Sequence, residues 1–589
     1  MIAYKRFSIM APDFRWDRIP IKLQILLGLC VLCVLILAPI FLSGYLPGPA
    51  RAPHTNATVH VKILAVNDFH GHMPPGQTLN NRPVGGAPVL ASYLKSAMAS
   101  GNADGTIIAL PGDVVGSSPP VSGLLLDEPT MLFFNSFANQ YCTVGSNSPN
   151  VSCNMVATLG NQEFNDGVPE LMRKINGGDG ATNITHLVDP YPGTRIDYVC
   201  ANVVWTANNT PVLPPYTLRN VSGVTIAFIG ADTMTTPQLT NAANVEGVTF
   251  LDEADSINRY IPEIQKQGVH AIVVLLHEGG NQTPYDSPTQ VNGNVSGRVT
   301  GIIPRLDPAV DVVLSAHTHE FTNAYLPDAG GKPVLVTQAY MYSRGYADVD
   351  LTIDRASGEI VGKSARIIPA YADQPPGTSP DPAAAALLAA AQHAVAPVEN
   401  RTIGVAALNI TRDQDRAGES AMGDLVADGE RAAMNTDVGF DTSADIFADL
   451  SRGTITWNDL YAAQPAGGTV LSMTLSGIQI RQALEQQWQQ PIPPSNLIVS
   501  GLVYTWDAAK PSGSKVTAVT IHGVPLDANA SYTVSTVGYL AMGGDGYTTF
   551  EEGTNTTYGP VDVNALVTYV GLLPQPVNVT VDGRIRRIN

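Results

Sequence analysis

Between residues 61 and 370, short apolar runs alternate with helix-like segments: VKILAVND, TIIALPGD, MVATLGN, VTIAFIGAD, HAIVVLLHE, DVVLSAH and PVLVTQA. Continuous apolar runs of this kind are the mark of strands buried on both faces, and their alternation with helical pattern predicts a layered α/β domain. Each run closes on Asp, Asn or His, and open α/β sheets hold ligands at the carboxyl ends of their strands, so a site assembled from many loops is expected. A Pro-rich stretch from Asp373 to Pro382 breaks the alternation and leads into AAAALLAAAQHAVA, whose alanine content predicts a helix. From about residue 400 a second α/β unit is expected, with helices at GESAMGDLVADGERAAM and SGIQIRQALEQQW and strands at VTAVTIHG and SYTVST.

One earlier run has a different meaning. Ile25 to Leu42 carries no charge over eighteen residues, the lower end of what crosses a bilayer. Lys5, Arg6, Arg15, Arg18 and Lys22 precede it and only Arg51 follows closely, which puts the amino terminus in the cytoplasm and the bulk of the chain outside. PGPARAP is a poor cleavage site, so a retained anchor is favoured over a cleaved signal. The expected order is a cytoplasmic tail (1–20), a transmembrane signal anchor (21–43), a linker (44–60), a first domain (61–372), a Pro-rich linker and helix (373–399) and a second domain (400–589). The protein would then be membrane-anchored and extracytoplasmic, at a cell surface or in a periplasm. Cys142 and Cys153 bracket a polar loop that a disulfide can close there, Cys200 sits in an apolar run as a buried thiol, and N-x-S/T sequons recur from Asn56 to Asn578. The 589 residues hold 33 basic and 51 acidic side chains, a net charge of -18, which argues against a nucleic-acid polymer as partner.

The chemistry lies in Asp68 and His70 (VNDFHGH), Asp113 (PGDVVGS), Asn161 (LGNQEF), His277 (LLHEGG) and His317 with His319 (SAHTHEF). A single His after a strand is more often structural than ligating, but a set mixing carboxylate, amide and imidazole suits two divalent ions, Zn, Mn or similar, bridged by one carboxylate. Such a pair acidifies a water and clamps phosphoryl oxygens, which is the physical case for phosphoester hydrolysis. The chain contains no G-x-S-x-G elbow, P-loop or Rossmann fingerprint.

The order and wording of these motifs resemble the metallophosphoesterases of the 5'-nucleotidase type over residues 61 to about 580. The resemblance implies a four-layer αββα metallophosphoesterase domain plus a second α/β domain of the 5'-nucleotidase C-terminal type, joined by a helix, with a small-molecule phosphoester or nucleotide between them. It implies one ion on Asp68, His70, Asp113 and His319 and another on Asp113, Asn161, His277 and His317, with Asp113 as the bridge. The second half carries the likeness through AGESAMGDLVAD, ITWNDLYAAQP, LSGIQIRQALEQQW and YLAMGGDGY.

The chain also departs from that pattern. Gln162 and Asn165 stand where the family has a catalytic His and its Asp partner, and a Gln amide donates a neutral hydrogen bond but brings neither charge nor proton. In TSADIF, Thr442 and Phe447 take the places of a substrate-gripping Asn and Arg, which leaves Arg412 as the nearest candidate for an anion grip. Ala466 replaces one face of the family's aromatic sandwich, whereas Tyr539 keeps the other and Asp545 keeps the ribose-contacting position. Two functions follow: a two-metal hydrolase of altered specificity, or a surface-binding protein of nucleotidase fold that has lost turnover.

Overall fold

The structure is a computed structural model and describes residues 57–180, 186–290, 293–465, 467–489 and 495–589. The tail and anchor expected at 1–43, the sequons at Asn56 and Asn183, and Ala466 lie outside these residues. Among the described residues no helix is long and apolar enough to cross a membrane.

Two six-stranded sheets pack face to face in the first half. The first runs in the order Ile360–Pro369, Gly345–Asp354, Thr58–Ala65, Gly105–Leu110, Met155–Ala157 and Asp197–Tyr198. The second runs Phe321–Pro327, Pro333–Ala339, Val310–Ser315, Ala271–Leu276, Val224–Ala231 and Tyr216–Val221. The strands that lead into the motif loops pair in parallel with one another within each sheet, and antiparallel strands close three of the four edges, Asp197–Tyr198 being the parallel exception. Successive side chains of a strand point to opposite faces, and here both faces are buried. Ile63, Ile107, Val273 and Leu275 pack between the sheets. Leu64, Ile108 and Leu110 face helices Ala87–Ala99 and Glu128–Asn135, while Ile272 and Val274 face helix Glu253–Lys266. Burial on both faces is why the runs read as continuous rather than alternating apolar sequence. The result is a four-layer helix–sheet–sheet–helix stack. Its first strand begins at Thr58, inside the stretch expected as linker, because Val59 is fully buried and pairs with Ile353.

Helix Pro382–Glu399 follows. Asp381 caps it by accepting from Ala384 N (3.0 Å) and also meets Lys95 Nζ at 2.6 Å. Ala384, Leu388, Ala391 and Val395 recur at helical spacing and are buried in the core that covers the first sheet, so the joint is docked on the first half. Beyond it, a five-stranded sheet in the order Leu497–Ser500, Val438–Thr442, Ser531–Val537, Thr469–Ser476 and Thr554–Val561 carries helices Ala421–Met434 and Asp562–Leu572 over one core and helix Gly477–Gln486 over the other. Cys142 and Cys153 form a disulfide, and Cys200 is a buried free thiol.

The docking of the joining helix is open to test. Leu388→Ala removes a buried side chain from the core and is expected to lower the unfolding free energy by about 2–4 kcal/mol in urea titrations, whereas the exposed His393→Ala is expected to stay within about 0.5 kcal/mol. Equal, small effects would show that the helix is not packed there.

Candidate metal centre and interdomain cleft

Each sequence-identified ligand sits in the loop after a strand. Asp68 and His70 follow Thr58–Ala65, Asp113 follows Gly105–Leu110, Asn161 follows Met155–Ala157, His277 follows Ala271–Leu276, and His317 and His319 follow Val310–Ser315. The turns are tight: Asp68, His70 and Asp113 all have φ of 47°, with His317 at 76° and His319 at 62°. Non-glycine residues in this region are strained by about 1 kcal/mol or more each and persist only where the surroundings impose the turn. Here His70 N donates to Asp113 O (3.0 Å), Tyr342 N to Asp68 O (2.8 Å) and His317 N to Asp68 Oδ1 (3.0 Å). Buried Glu163 accepts from the backbone N–H groups of Asp113, Val114 and Gly160 at 2.7–2.9 Å. The approach is close enough to require glycine: a Cβ on Gly112 would lie 2.4 Å from His277 Nδ1, and one on Gly160 2.3 Å from Asp113 Oδ1.

The side chains converge in two groups that share Asp113. Asp68, His70, Asp113 and His319 have ligand atoms all within 4.8 Å of one another, and so do Asp113, His277 and His317. His277 Nε2 is 3.1 Å from Asp113 Oδ2 and 3.3 Å from Asn161 Oδ1, which brings the seventh candidate to the second group. His70 Nε2 lies 3.0 Å from His319 Nε2 and 3.5 Å from Asp113 Oδ2. His70 Nδ1 and His277 Nδ1 reach the carbonyls of Gly116 (2.9 Å) and Pro111 (3.0 Å). Bonds of that kind place the proton on Nδ1 and turn each Nε2 lone pair toward the cluster, which is how metal-ligating histidines are held. Lone pairs and carboxylate oxygens facing one another at these distances fit divalent cations.

Electrostatics point the same way. Burial pushes Asp68 up to about 6 against the pull of His277. Burial also opposes the charge on Asp113, but His277, His70 and His317 hold its carboxyl well below the usual range. His277 is raised despite burial because Asp113 faces it, whereas burial and His277 together lower His317 to about 4. Burial, then repulsion from Asp113, lifts Glu163 to about 8.

Residues 395–552 match the family model described as the 5'-nucleotidase C-terminal domain. The chain is 33% identical to Endonuclease YhcR of Bacillus subtilis over 90% of its own length and 41% of that protein, and 32% identical to cell wall protein Lmo0130 of Listeria monocytogenes over 87% of its own length and 67% of that protein. A solved 5'-nucleotidase precursor from Thermus thermophilus shares 25% identity, covers 90% of this chain and 99% of its own, and superposes with a TM-score of 0.57. The chain belongs to the 5'-nucleotidase-type metallophosphoesterase family. It spans less than half the length of the Bacillus relative.

In this metallophosphoesterase a cleft of about 730 Å³ opens beside the ligand cluster, lined on one side by Asn161, Gln162, Asn165 and His317 and on the other by residues of the second half, Tyr539 among them. Ser117 Oγ (2.8 Å) and Asn165 Nδ2 both donate to Gln162 Oε1, so the pair that replaces the family's His and Asp is locked as a hydrogen-bonded amide unit. The other candidates fare differently. Asp545 sits at φ 55° with its carboxylate engaged by Tyr539 OH (3.0 Å) and Ser495 Oγ (2.6 Å). Arg412, expected as an anion grip, does not line the cleft: its guanidinium is paired with Asp449 (3.0 Å) and bonds Ile446 O on the surface. Thr442 is buried at the end of its strand, and Phe447 points outward, 54% exposed, so neither reaches the cleft wall. Sequence reasoning missed Ser117, four residues after Asp113, and Asp445, which lies in TSADIF between the two positions that were compared.

Because His277 must lose its proton to ligate and its partners hold that proton, the apparent Mn²⁺ affinity is expected to rise by about tenfold per pH unit for each proton displaced between pH 5 and 7. Calorimetry at several pH values checks this; an affinity flat across the range would remove His277 from the ligand set.

Proposed function

We propose that the protein is a two-metal phosphoester hydrolase acting outside the cytoplasm on a nucleotide or a related phosphoester. The observation that carries this reading is Asp113, one carboxylate common to both ligand groups, as a bridge between two ions must be. In this reading Asp68, His70, Asp113 and His319 hold one ion and Asp113, Asn161, His277 and His317 the other. Residues 61–372 are the catalytic domain, 373–399 the joint, 400–589 the substrate domain, and 21–43 the membrane anchor behind a tail at 1–20.

When bound, the ions supply Lewis acidity for water and charge neutralisation for the phosphoryl group. The chain's own part is positional. The carbonyls of Gly116 and Pro111 orient His70 and His277, and Glu163 fixes the loop carrying Asp113. With its carbonyl oxygen taken by Ser117 and Asn165, Gln162 turns its amide N–H groups toward the cleft as neutral donors for a phosphoryl oxygen. Tyr539 offers a ring face for the rest of the substrate. The disulfide suits an oxidising compartment, and the name of the Listeria relative places that protein in a cell wall. The name of the Bacillus relative belongs to a much longer protein, and a net charge of -18 does not favour a polymer of phosphates here.

The neutral Gln162–Asn165 pair also favours a second reading, a binding protein without turnover, and one experiment separates the two. Protein loaded with Mn²⁺ or Zn²⁺ is offered nucleotides, sugar phosphates and aryl phosphates, with Asp113→Ala as blank. Phosphate release that vanishes in the blank is expected, and Gln162→His combined with Asn165→Asp should raise kcat on an aryl phosphate by about 10–10³-fold. Bound metal with no release from any ester would leave the binding protein.

A further inference from the structure

We propose that the cleft selects phosphoesters whose alcohol portion carries an ammonium or quaternary-ammonium group, an inference that rests on the hydrolase reading above. The charged side chains that the second half contributes to the cleft are Asp445 and Glu551, and none of the described lining residues is Lys or Arg. Asp545, bonded to Tyr539, adds a third carboxylate beside the same wall. A second phosphate on the substrate would be repelled there.

The carboxylate wall continues inward. The carboxyl of Asp441 lies within bonding reach of those of Asp445 and Glu430, and Asp562 stands close enough to Asp445 and Glu430 to repel them. Asp441, Glu430 and Asp562 are 0%, 1% and 0% exposed, and among the described residues Asp441 Oδ2 and Glu430 Oε2 meet no donor from outside the carboxyl cluster. Burial lifts Asp445 to about 6 against a hydrogen bond from Asp441 that lowers it, and burial, then repulsion from Asp445, lifts Asp562 to about 7. Among the described residues, the charges that act most strongly on the four are all carboxylates.

Two other carboxylate groups of the protein are paired with arginine. Arg584 serves Asp424, Asp428 and Asp582 together at 3.3, 2.8 and 2.8 Å, and Arg219 meets Asp197 at 2.7 Å. A buried carboxyl without such a partner takes up a proton, and a cation brought beside it favours the ionised form. At the cleft an incoming cation has a place, because Asp445 opens onto a cavity that also presents Tyr539 and Tyr558, rings whose faces attract an organic cation, and Met542, an apolar neighbour for its methyl groups. The phosphoryl end of the same ester would face Gln162 and the ligand cluster. In the reaction the water oxygen bonds to phosphorus, the phosphorus–alcohol oxygen bond breaks, and the alcohol leaves with a proton from solvent, its cationic group unchanged.

The test compares choline phosphate with 3,3-dimethylbutyl phosphate, its uncharged isostere, on the full chain loaded with Mn²⁺, by calorimetry and by phosphate release. Choline phosphate is expected to bind about tenfold more tightly, and the preference should fall to about threefold or less in Asp445→Asn and shrink in Glu551→Gln, whose side chain is exposed. Equal binding of the two esters by the unmutated protein, or turnover of both at equal kcat/KM, would overturn the inference while leaving hydrolysis standing in the second case. A binding preference without turnover of either ester would sustain the selection and leave the hydrolase reading to the wider ester panel above.

Discussion

The structure turns on one carboxylate. Asp113 must approach His70, His277 and His317 at once, and everything near it is shaped by that crowding. Gly112 and Gly160 leave the space where a methyl group would collide, Glu163 gathers three backbone N–H groups to hold the loop, and five ligands adopt a left-handed turn. Such strain survives only on a rigid support, and two sheets buried on both faces provide one.

That support explains the division of labour between the halves. The candidate metal ligands come from strand ends of one stack, so their geometry is set by sheet register. The cleft's other wall comes from the second half, beyond a helix docked on the first. In the proposed reading a phosphoryl group and an alcohol portion would therefore meet surfaces built by different cores, and one could change without disturbing the other. The neutral Gln162–Asn165 pair and the acidic wall around Asp445 are changes of this kind, laid over an intact set of ligands.

Much of the site was legible because its residues are local to strong patterns. A ligand that follows a continuous apolar run is a strand-end residue in any α/β sheet, so Asp68, Asp113, His277 and His317 could be placed before any coordinates. The substrate side was less legible. Arg412 looked like an anion grip by its place in a motif, but nothing in the sequence shows that Asp449, thirty-seven residues on, takes its guanidinium. Thr442 and Phe447 were located by the same comparison and lie away from the cleft, while Asp445 between them reaches it, because the short helical turn Ser443–Asp445 rotates successive side chains to different directions.

By itself the sequence determined the layered α/β architecture, the joining helix and the identity of the converging ligands, since periodicity and strand-end chemistry are short-range properties. Only the tertiary structure decided which charges are cancelled and which are left facing the cleft. Arg584 reaches Asp424 across some 160 residues, whereas Glu430, Asp441 with Asp445, and Asp562 are brought together from three segments as a cluster of carboxyls. Pairing of that kind depends on how the cores pack, and distance along the chain carries no record of it.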